Sequence, residues 1–133
     1  MITAVIDTHA LIWYLYDDAR LSNTARQFME ITADSQDQIA LSSITLIEMV
    51  YLIEKGRVAS ESLSIMAGEL DDPSGLFIEV PVDLQIARTL TRIDGHQIPD
   101  MPDRIIAATA IQRNVPVISR DGKIRISNVQ TIW

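Results

Sequence analysis

Short apolar runs alternate with longer amphipathic segments along this chain. The runs at 2–6, 39–41, 77–80, 115–118 and 129–133 are short and contain many β-branched residues, which is typical of strands. The segments between them carry apolar residues at helical spacing and predict helices at 9–16, 22–33, 44–55, 57–70, 84–93 and 102–114. Strands that alternate with helices favour an α/β fold, in which a parallel sheet lies between helices on both faces. We expect the last run to form an edge strand.

Several polar residues and one glycine indicate where the helices begin and end. Ser22, Ser43 and Asp83 precede apolar-periodic segments and are predicted to be N-caps, because Ser and Asp are preferred there. Gly56 follows the third helix, at a position where left-handed backbone is common. The aromatic residues of the first helix, including Trp13, are predicted to pack in the core.

The predicted helix 44–55 is apolar on nearly every face, which is typical of a buried helix, and Glu48 lies in its middle. No Lys or Arg occurs three or four residues away from Glu48 on either side. A buried carboxylate is costly unless it is paired, hydrogen-bonded or coordinates a metal ion. Glu48 is therefore expected to have a distant partner, either an arginine or a metal ion.

Two further acids are predicted at or just after the carboxyl ends of strands, where parallel sheets bind ligands, and a third, at a helix start before the fourth strand, can reach the same rim. Asp7 directly follows the first strand, Asp121 comes just after the fourth, and Asp103 is in the first turn of the last predicted helix. Each also has a local explanation. Asp7 can be an N-cap, Asp103 can stabilise the helix dipole, and Asp121 with the following glycine can form a turn.

Composition restricts the chemistry that these acids can perform. The 133 residues include no Cys and two His, so thiolate sites are excluded and carboxylates are the abundant ligands for hard cations such as Mg²⁺ or Mn²⁺. The net charge of −7 argues against a uniformly basic nucleic-acid-binding surface. The sequence has no apolar run long enough for a membrane span and no signal-peptide pattern, so we expect a single cytoplasmic domain over 1–133.

Four segments, taken in order, resemble the PIN domain and, within it, the VapC-type toxins of bacterial toxin–antitoxin pairs. They are VIDTHALIWYL around Asp7, SSITLIEMV around Glu48, DMPDRIIAATA around Asp103 and VISRD around Asp121. Each segment alone is a weak signal, but the ordered set is specific and extends over essentially the whole chain. The resemblance implies a PIN-like three-layer fold with a mostly parallel central sheet flanked by helices.

The resemblance also implies an Mg²⁺- or Mn²⁺-dependent endoribonuclease that forms a homodimer and is silenced by a cognate antitoxin protein. The residues that match the family's acidic quartet, as catalytic residues and as metal ligands, are Asp7, Glu48, Asp103 and Asp121. Ser119 stands where the family more often has Thr, which keeps a hydroxyl near the site. The segment DMPD departs from the more usual Asp-Pro-x-Asp, so its first residue, Asp100, either caps the helix or contributes to the metal site.

Basic residues are concentrated in the C-terminal third of the chain, where they are Arg104, Arg113, Arg120, Lys123 and Arg125. They predict either a local phosphate-contacting surface, with Arg104 and Arg120 as candidate contacts, or a solvated face with helix-end charges.

Two other functions share the predicted fold. The chain can be a PIN nuclease that processes RNA or DNA outside a toxin system, because the metal chemistry does not distinguish the sugars. It can also be a non-catalytic interaction module, although the intact carboxylates disfavour that. A phosphatase with a strand-end Asp nucleophile is weaker still, because no second acid lies two residues after Asp7.

Overall fold

The strands of the protein form one five-stranded parallel sheet. The computed structural model describes residues 1–125 and 128–133. Its strands are β1 (Ile2–Ile6), β2 (Gln38–Ser42), β3 (Phe77–Val80), β4 (Val117–Ile118) and β5 (Thr131–Ile132). They lie in the order β3-β2-β1-β4-β5, and each neighbouring pair is parallel. The predicted α/β class and the edge position of the last strand are confirmed, although β4 and β5 are shorter than predicted.

The strand order reverses direction at β1. From β1 the chain continues to β2 and β3 on one side, and then returns to place β4 on the other side of β1. In open parallel sheets, ligands bind in the crevice outside the carboxyl ends of the strands at such a switch point. The carboxyl ends of β1 and β4 therefore mark the expected position of a functional site.

Helices follow the strands, with bounds close to those predicted. They are α1 (Thr8–Leu15), α2 (Asn23–Asp34), α3 (Ser43–Glu54), α4 (Ser62–Asp71), α5 (Leu84–Leu90), α6 (Met101–Arg113) and α7 (Gly122–Arg125). Helix α4 begins five residues later than expected, since 57–61 form turns, and α5 ends three residues earlier. The short α7 was not predicted. No helix in the described ranges is long and apolar enough to cross a membrane.

Side chains alternate along the strands and supply two separate apolar cores, one on each face of the sheet. On β1, Ala4 and Ile6 face the first core and Val5 the second. The first core includes residues of α1 to α4, among them Leu11, Trp13, Met29, Met49 and Met66. The second includes residues of α5 to α7, among them Ile86, Ile106, Ala107, Ala110 and Ile124. The sheet is therefore the middle of three layers, and Trp13 lies in the core as predicted.

The observed caps agree with the predicted ones at Ser22 and Asp83, whose side chains accept hydrogen bonds from Ala25 N and Ile86 N. The predicted cap at Ser43 is wrong by one residue. Ser42 caps α3 and accepts from Ile44 N at 3.2 Å. The Ser43 hydroxyl instead donates to Glu79 Oε2, at 2.6 Å. Gly56 follows α3 with a φ of +69°, a conformation that glycine adopts without steric cost.

The prediction that α3 is buried on all sides is wrong. Ile47 and Tyr51, one turn apart, are 51% and 60% exposed, and Val50 beside them is 37% exposed. Only one side of the helix packs on the sheet, where Met49 is fully buried. The outer side is an uncovered apolar surface, and Glu48 lies between the two sides.

Candidate active site

A cavity of about 360 Å³ opens at the switch point of the sheet, beyond the carboxyl ends of β1 and β4. The side chains that line it are Asp7, Thr8, His9, Trp13, Glu48, Asp100, Asp103, Arg120 and Asp121. The predicted quartet of acids therefore comes together, although its members come from four separate segments. A second, larger cavity of about 500 Å³ lies near Asn114 and Pro116 and contains none of these acids.

Asp7 is held in place from several directions. Its backbone N–H donates to Ile118 O of the neighbouring strand at 3.1 Å, and its Oδ1 accepts from Ala10 N at 2.8 Å, so it is the N-cap of α1. The buried Ser119 also forms a side-chain hydrogen bond with it. Burial raises the pKa of Asp7 above its ordinary 3.8, and the hydrogen bonds from Ser119 and Ala10 N oppose this. Asp7 therefore caps α1 and lines the acidic cavity at the same time.

Glu48 has a hydroxyl partner and no arginine partner among the described residues, and its expected role as a metal ligand stays a prediction. Thr8 Oγ1 donates to Glu48 Oε1 at 2.5 Å and also lies 3.1 Å from Thr45 Oγ1. Glu48 has no ion pair with any described residue. Burial raises the pKa of Glu48, the Thr8 hydrogen bond lowers it, and the charges of Asp100 and Asp7 raise it further. The carboxylate is therefore oriented by Thr8 but not neutralised.

Asp103 and Asp121 form the most perturbed part of the cavity. Burial, a hydrogen bond between the two carboxyl groups and the charge of Asp100 together raise the pKa of Asp103 from 3.8 to about 8. Asp100 is the N-cap of α6 and accepts from Asp103 N at 3.2 Å. Asp121 accepts from Lys123 N at 2.8 Å, and Ser119 Oγ accepts from Asp121 N at 2.9 Å. With a pKa of about 8, the Asp103 carboxyl keeps its proton at neutral pH.

The carboxylate oxygens that line the cavity are of the type that binds a hard divalent cation, but they are not arranged around one common point. Within 1–125 and 128–133, no three Asp, Glu or His side chains have a ready-made metal-binding geometry. Carboxylate oxygens are nevertheless the ligands that Mg²⁺ and Mn²⁺ prefer. For Asp103 to hold such a cation, its carboxyl would have to release its proton.

The two candidate phosphate-contacting arginines have different surroundings. Arg104 Nη2 donates to Leu90 O at 3.0 Å and to Ile93 O at 3.1 Å, and its Nε is buried without a partner. The prediction that Arg104 contacts phosphate does not fit this position, since its donors hold the chain after α5. Arg120, in contrast, is exposed and lines the acidic cavity.

Sequence reasoning missed Thr8, His9 and Trp13 as residues that line the cavity. Thr8 had a usable signal, because a hydroxyl residue directly after a strand-end acid points to the same rim. The position of His9 also followed from its neighbour, and its charge lowers the pKa of Asp7 and Glu48 against the larger effect of burial. No signal in the sequence indicated that Trp13 lines the cavity, because the helical spacing that predicts a core residue does not indicate which part of the core it reaches.

Known proteins share both the sequence pattern and the fold. Residues 4–129 match the PIN domain family. The chain is 27% identical over 126 residues to Ribonuclease VapC22 of Mycobacterium tuberculosis (strain ATCC 25618 / H37Rv), with 94% of this chain and 92% of that protein covered. It is 26% identical to a chain of a toxin–antitoxin complex from Klebsiella pneumoniae, with a TM-score of 0.67 and coverage of 98% and 97%.

A chain of VapBC2 from Rickettsia felis bound to a DNA fragment from its promoter has the same fold. The TM-score is 0.67 at 20% identity, with coverage of 98% of this chain and 97% of that one. The family match spans nearly all of the sequence, and the three-layer architecture agrees with it. The segments around the four acids, the parallel sheet and the cavity at its switch point thus have one common explanation, which is that this chain belongs to the PIN domain family.

Proposed function

We propose that this protein is a divalent-metal-dependent endoribonuclease and the toxin of a toxin–antitoxin pair, formed by a single PIN domain. The observation that carries the proposal is the convergence of Asp7, Glu48, Asp103 and Asp121 on one cavity. Burial raises the pKa of Asp103 to about 8, and the hydrogen bond with Asp121 and the like charges of the neighbouring carboxylates add to the rise. A purely structural role does not require four acids at one place.

The chain's own residues prepare this site for a phosphodiester. Asp7, Glu48, Asp103 and Asp121 are the proposed ligands of Mg²⁺ or Mn²⁺, which when bound offsets the negative charge that develops on the phosphate during hydrolysis. Thr8 orients Glu48, and Ser119 orients Asp7. Asp103, whose pKa is raised to about 8, holds a proton at neutral pH that it must release before its carboxylate is available.

RNA as substrate and an antitoxin as partner are supported by the similar proteins. The relative from Mycobacterium tuberculosis is named a ribonuclease, and the similar chain from Klebsiella pneumoniae is part of a toxin–antitoxin complex. The uncovered apolar side of α3, with Ile47 and Tyr51, offers a surface for a homodimer or for an antitoxin segment. Because its proposed substrate is cellular RNA, the proposed location is the cytoplasm.

Replacement of Asp7 by Asn tests the catalytic proposal. We expect Asp7→Asn to lower the rate of Mg²⁺- or Mn²⁺-dependent RNA cleavage by on the order of 10²-fold or more. The matched control is Asp83→Asn. Asp83 caps α5 through Ile86 N as Asp7 caps α1 through Ala10 N, and Asn is as good a cap as Asp. If Asp7 only capped its helix, both variants would keep full activity.

Two results would contradict the proposal. Asp7→Asn that cleaves RNA at the wild-type rate, in a preparation free of other nucleases, would remove Asp7 from the reaction. Expression of the wild type without loss of host growth, together with purification from its own operon without a small companion protein, would contradict the toxin role. RNA cleavage that persists in that second case would favour a processing nuclease.

A further inference from the structure

Two arginines lie over the ring of Trp13, at the edge of the acidic cavity. The guanidinium carbon of Arg120 is 4.6 Å from the ring centroid, and that of Arg20 is 5.2 Å away. Both distances are within the range of a cation–π interaction. Trp13 is only 6% exposed and belongs to the core, so it is a rigid support for the charges above it.

The two arginines differ in their partners. Arg20 forms a two-point pair with Asp18, from Nε to Oδ1 at 3.1 Å and from Nη2 to Oδ2 at 2.7 Å. Arg120 has no hydrogen bond and no ion pair with any residue of the described ranges, although five acids line the same cavity. Of the two guanidinium groups over Trp13, that of Arg20 is therefore neutralised by Asp18, and that of Arg120 is available to a ligand.

The available guanidinium is suited to an anion that enters the cavity. The cation–π contact does not use the N–H groups as hydrogen-bond donors, and those of Arg120 have no acceptor among the described residues. An arginine is always charged, and its forked donors match the oxygens of a phosphate. Because the ring restricts the side chain before any ligand arrives, less conformational freedom is lost on binding.

We infer that Arg120, supported by Trp13, binds a backbone phosphate of the RNA next to the scissile one and so positions the strand in the acidic cavity. The inference rests on the proposed function, since it assigns the same site a contact to its substrate. It also separates the two arginines that the sequence left equivalent. Arg104 holds the chain after α5, whereas Arg120 is the residue that contacts RNA.

The salt dependence of RNA binding tests this contact directly. The probe is a short fluorescein-labelled single-stranded RNA of mixed sequence, bound to protein that carries Asp7→Asn so that the strand is not cut, in Mg²⁺ and between about 50 and 200 mM salt. We expect Arg120→Gln to reduce the slope of log Kd against log salt by about 0.7, the value for one lost phosphate contact on a single strand. The Kd at the lowest salt should rise roughly tenfold.

A charge-retaining variant and two controls separate this contact from a general effect of charge. Arg120→Lys should keep the slope but bind roughly threefold more weakly, because lysine lacks the fork and the ring contact. Arg20→Gln removes the same charge and a contact to the same ring, and Arg113→Gln removes a charge at the far end of α6. Each of these two variants should have a slope within about 0.2 of the slope measured for the Asp7→Asn protein alone.

Cleavage kinetics give a second readout that a structural role would not produce. In the Asp7-containing enzyme, Arg120→Gln should raise KM roughly tenfold and leave kcat within about twofold. An unchanged slope in Arg120→Gln, or an equal loss of slope in Arg20→Gln, overturns the inference while the wild type still cleaves RNA. If the wild type binds the probe with an Arg120-dependent slope but never cleaves it, the nuclease proposal fails and the phosphate contact stands.

Discussion

Neutralising Asp103 should stabilise the metal-free protein although it removes a proposed metal ligand. In the folded chain the pKa of Asp103 is about 8, compared with an ordinary value of 3.8, because the carboxyl is buried, hydrogen-bonded to Asp121 and close to the charge of Asp100. Between these two pH values the unfolded chain is ionised while the folded chain keeps its proton. The folded state therefore loses stability as the pH rises from about 4 to 8, and the full penalty is present above pH 8.

The size of the effect follows from the same pKa. A rise from 3.8 to about 8 corresponds to about 5–6 kcal/mol, and solvation of the half-buried carboxyl reduces the effective penalty to roughly 2–3 kcal/mol. Asp103→Asn removes this penalty, so at pH 8 in EDTA its Tm should be higher than that of the wild type. At roughly 3–5 °C for each kcal/mol, we expect an increase of about 6–15 °C.

Thermal unfolding from pH 4 to 8, in EDTA and with added Mg²⁺ or Mn²⁺, measures the prediction. The metal should stabilise the wild type by roughly 2.7 kcal/mol at 100 times its Kd, and less in Asp103→Asn, which has lost a ligand. Asp83→Asn, an exposed helix cap away from the cavity, should melt within about 2 °C of the wild type under all conditions. A lower Tm of Asp103→Asn in EDTA, with no metal-induced shift in either protein, would refute the reasoning.

Two further predictions concern side chains that act through their neighbours. Thr8→Val removes the hydrogen bond that orients Glu48, so the Mg²⁺ affinity measured by calorimetry should fall by about 10- to 100-fold. Thr8→Ser keeps the hydroxyl and should keep the affinity. Equal affinity in the two variants would contradict the orienting role of Thr8. Arg104→Met leaves the carbonyls of Leu90 and Ile93 without their donor, so urea unfolding should show a loss of about 2–3 kcal/mol with an unchanged salt dependence of RNA binding. A reduced salt slope in Arg104→Met would restore Arg104 as a phosphate contact.

The comparison of expected and observed helices shows where local sequence is informative. The caps at Ser22 and Asp83 and the left-handed Gly56 were predicted correctly, because each depends on atoms within a few residues. The cap of α3 was assigned one residue late, since two consecutive serines satisfy the same local rule. The short α7 was missed because an Asp-Gly pair favours a turn as strongly as a helix start.

The environment of α3 could not be predicted from its composition. An apolar residue contributes the same signal whether it faces the sheet or the solvent, so Ile47 and Tyr51 looked as buried as Met49. For the same reason the sequence treated Arg104 and Arg120 alike. Their difference depends on what lies around each side chain, namely two carbonyls for Arg104 and the Trp13 ring for Arg120.

The sequence by itself determined the alternation of strands and helices and the order of the four acids with their surrounding segments, and with them the fold class and the family. These properties are periodic or local, and they persist along the chain without tertiary contacts. Only the tertiary structure decided that Glu48 is oriented by Thr8, that burial beside Asp121 raises the pKa of Asp103, and which arginine remains available. Each depends on distances between segments far apart in sequence, and burial and charge act on a side chain through those distances.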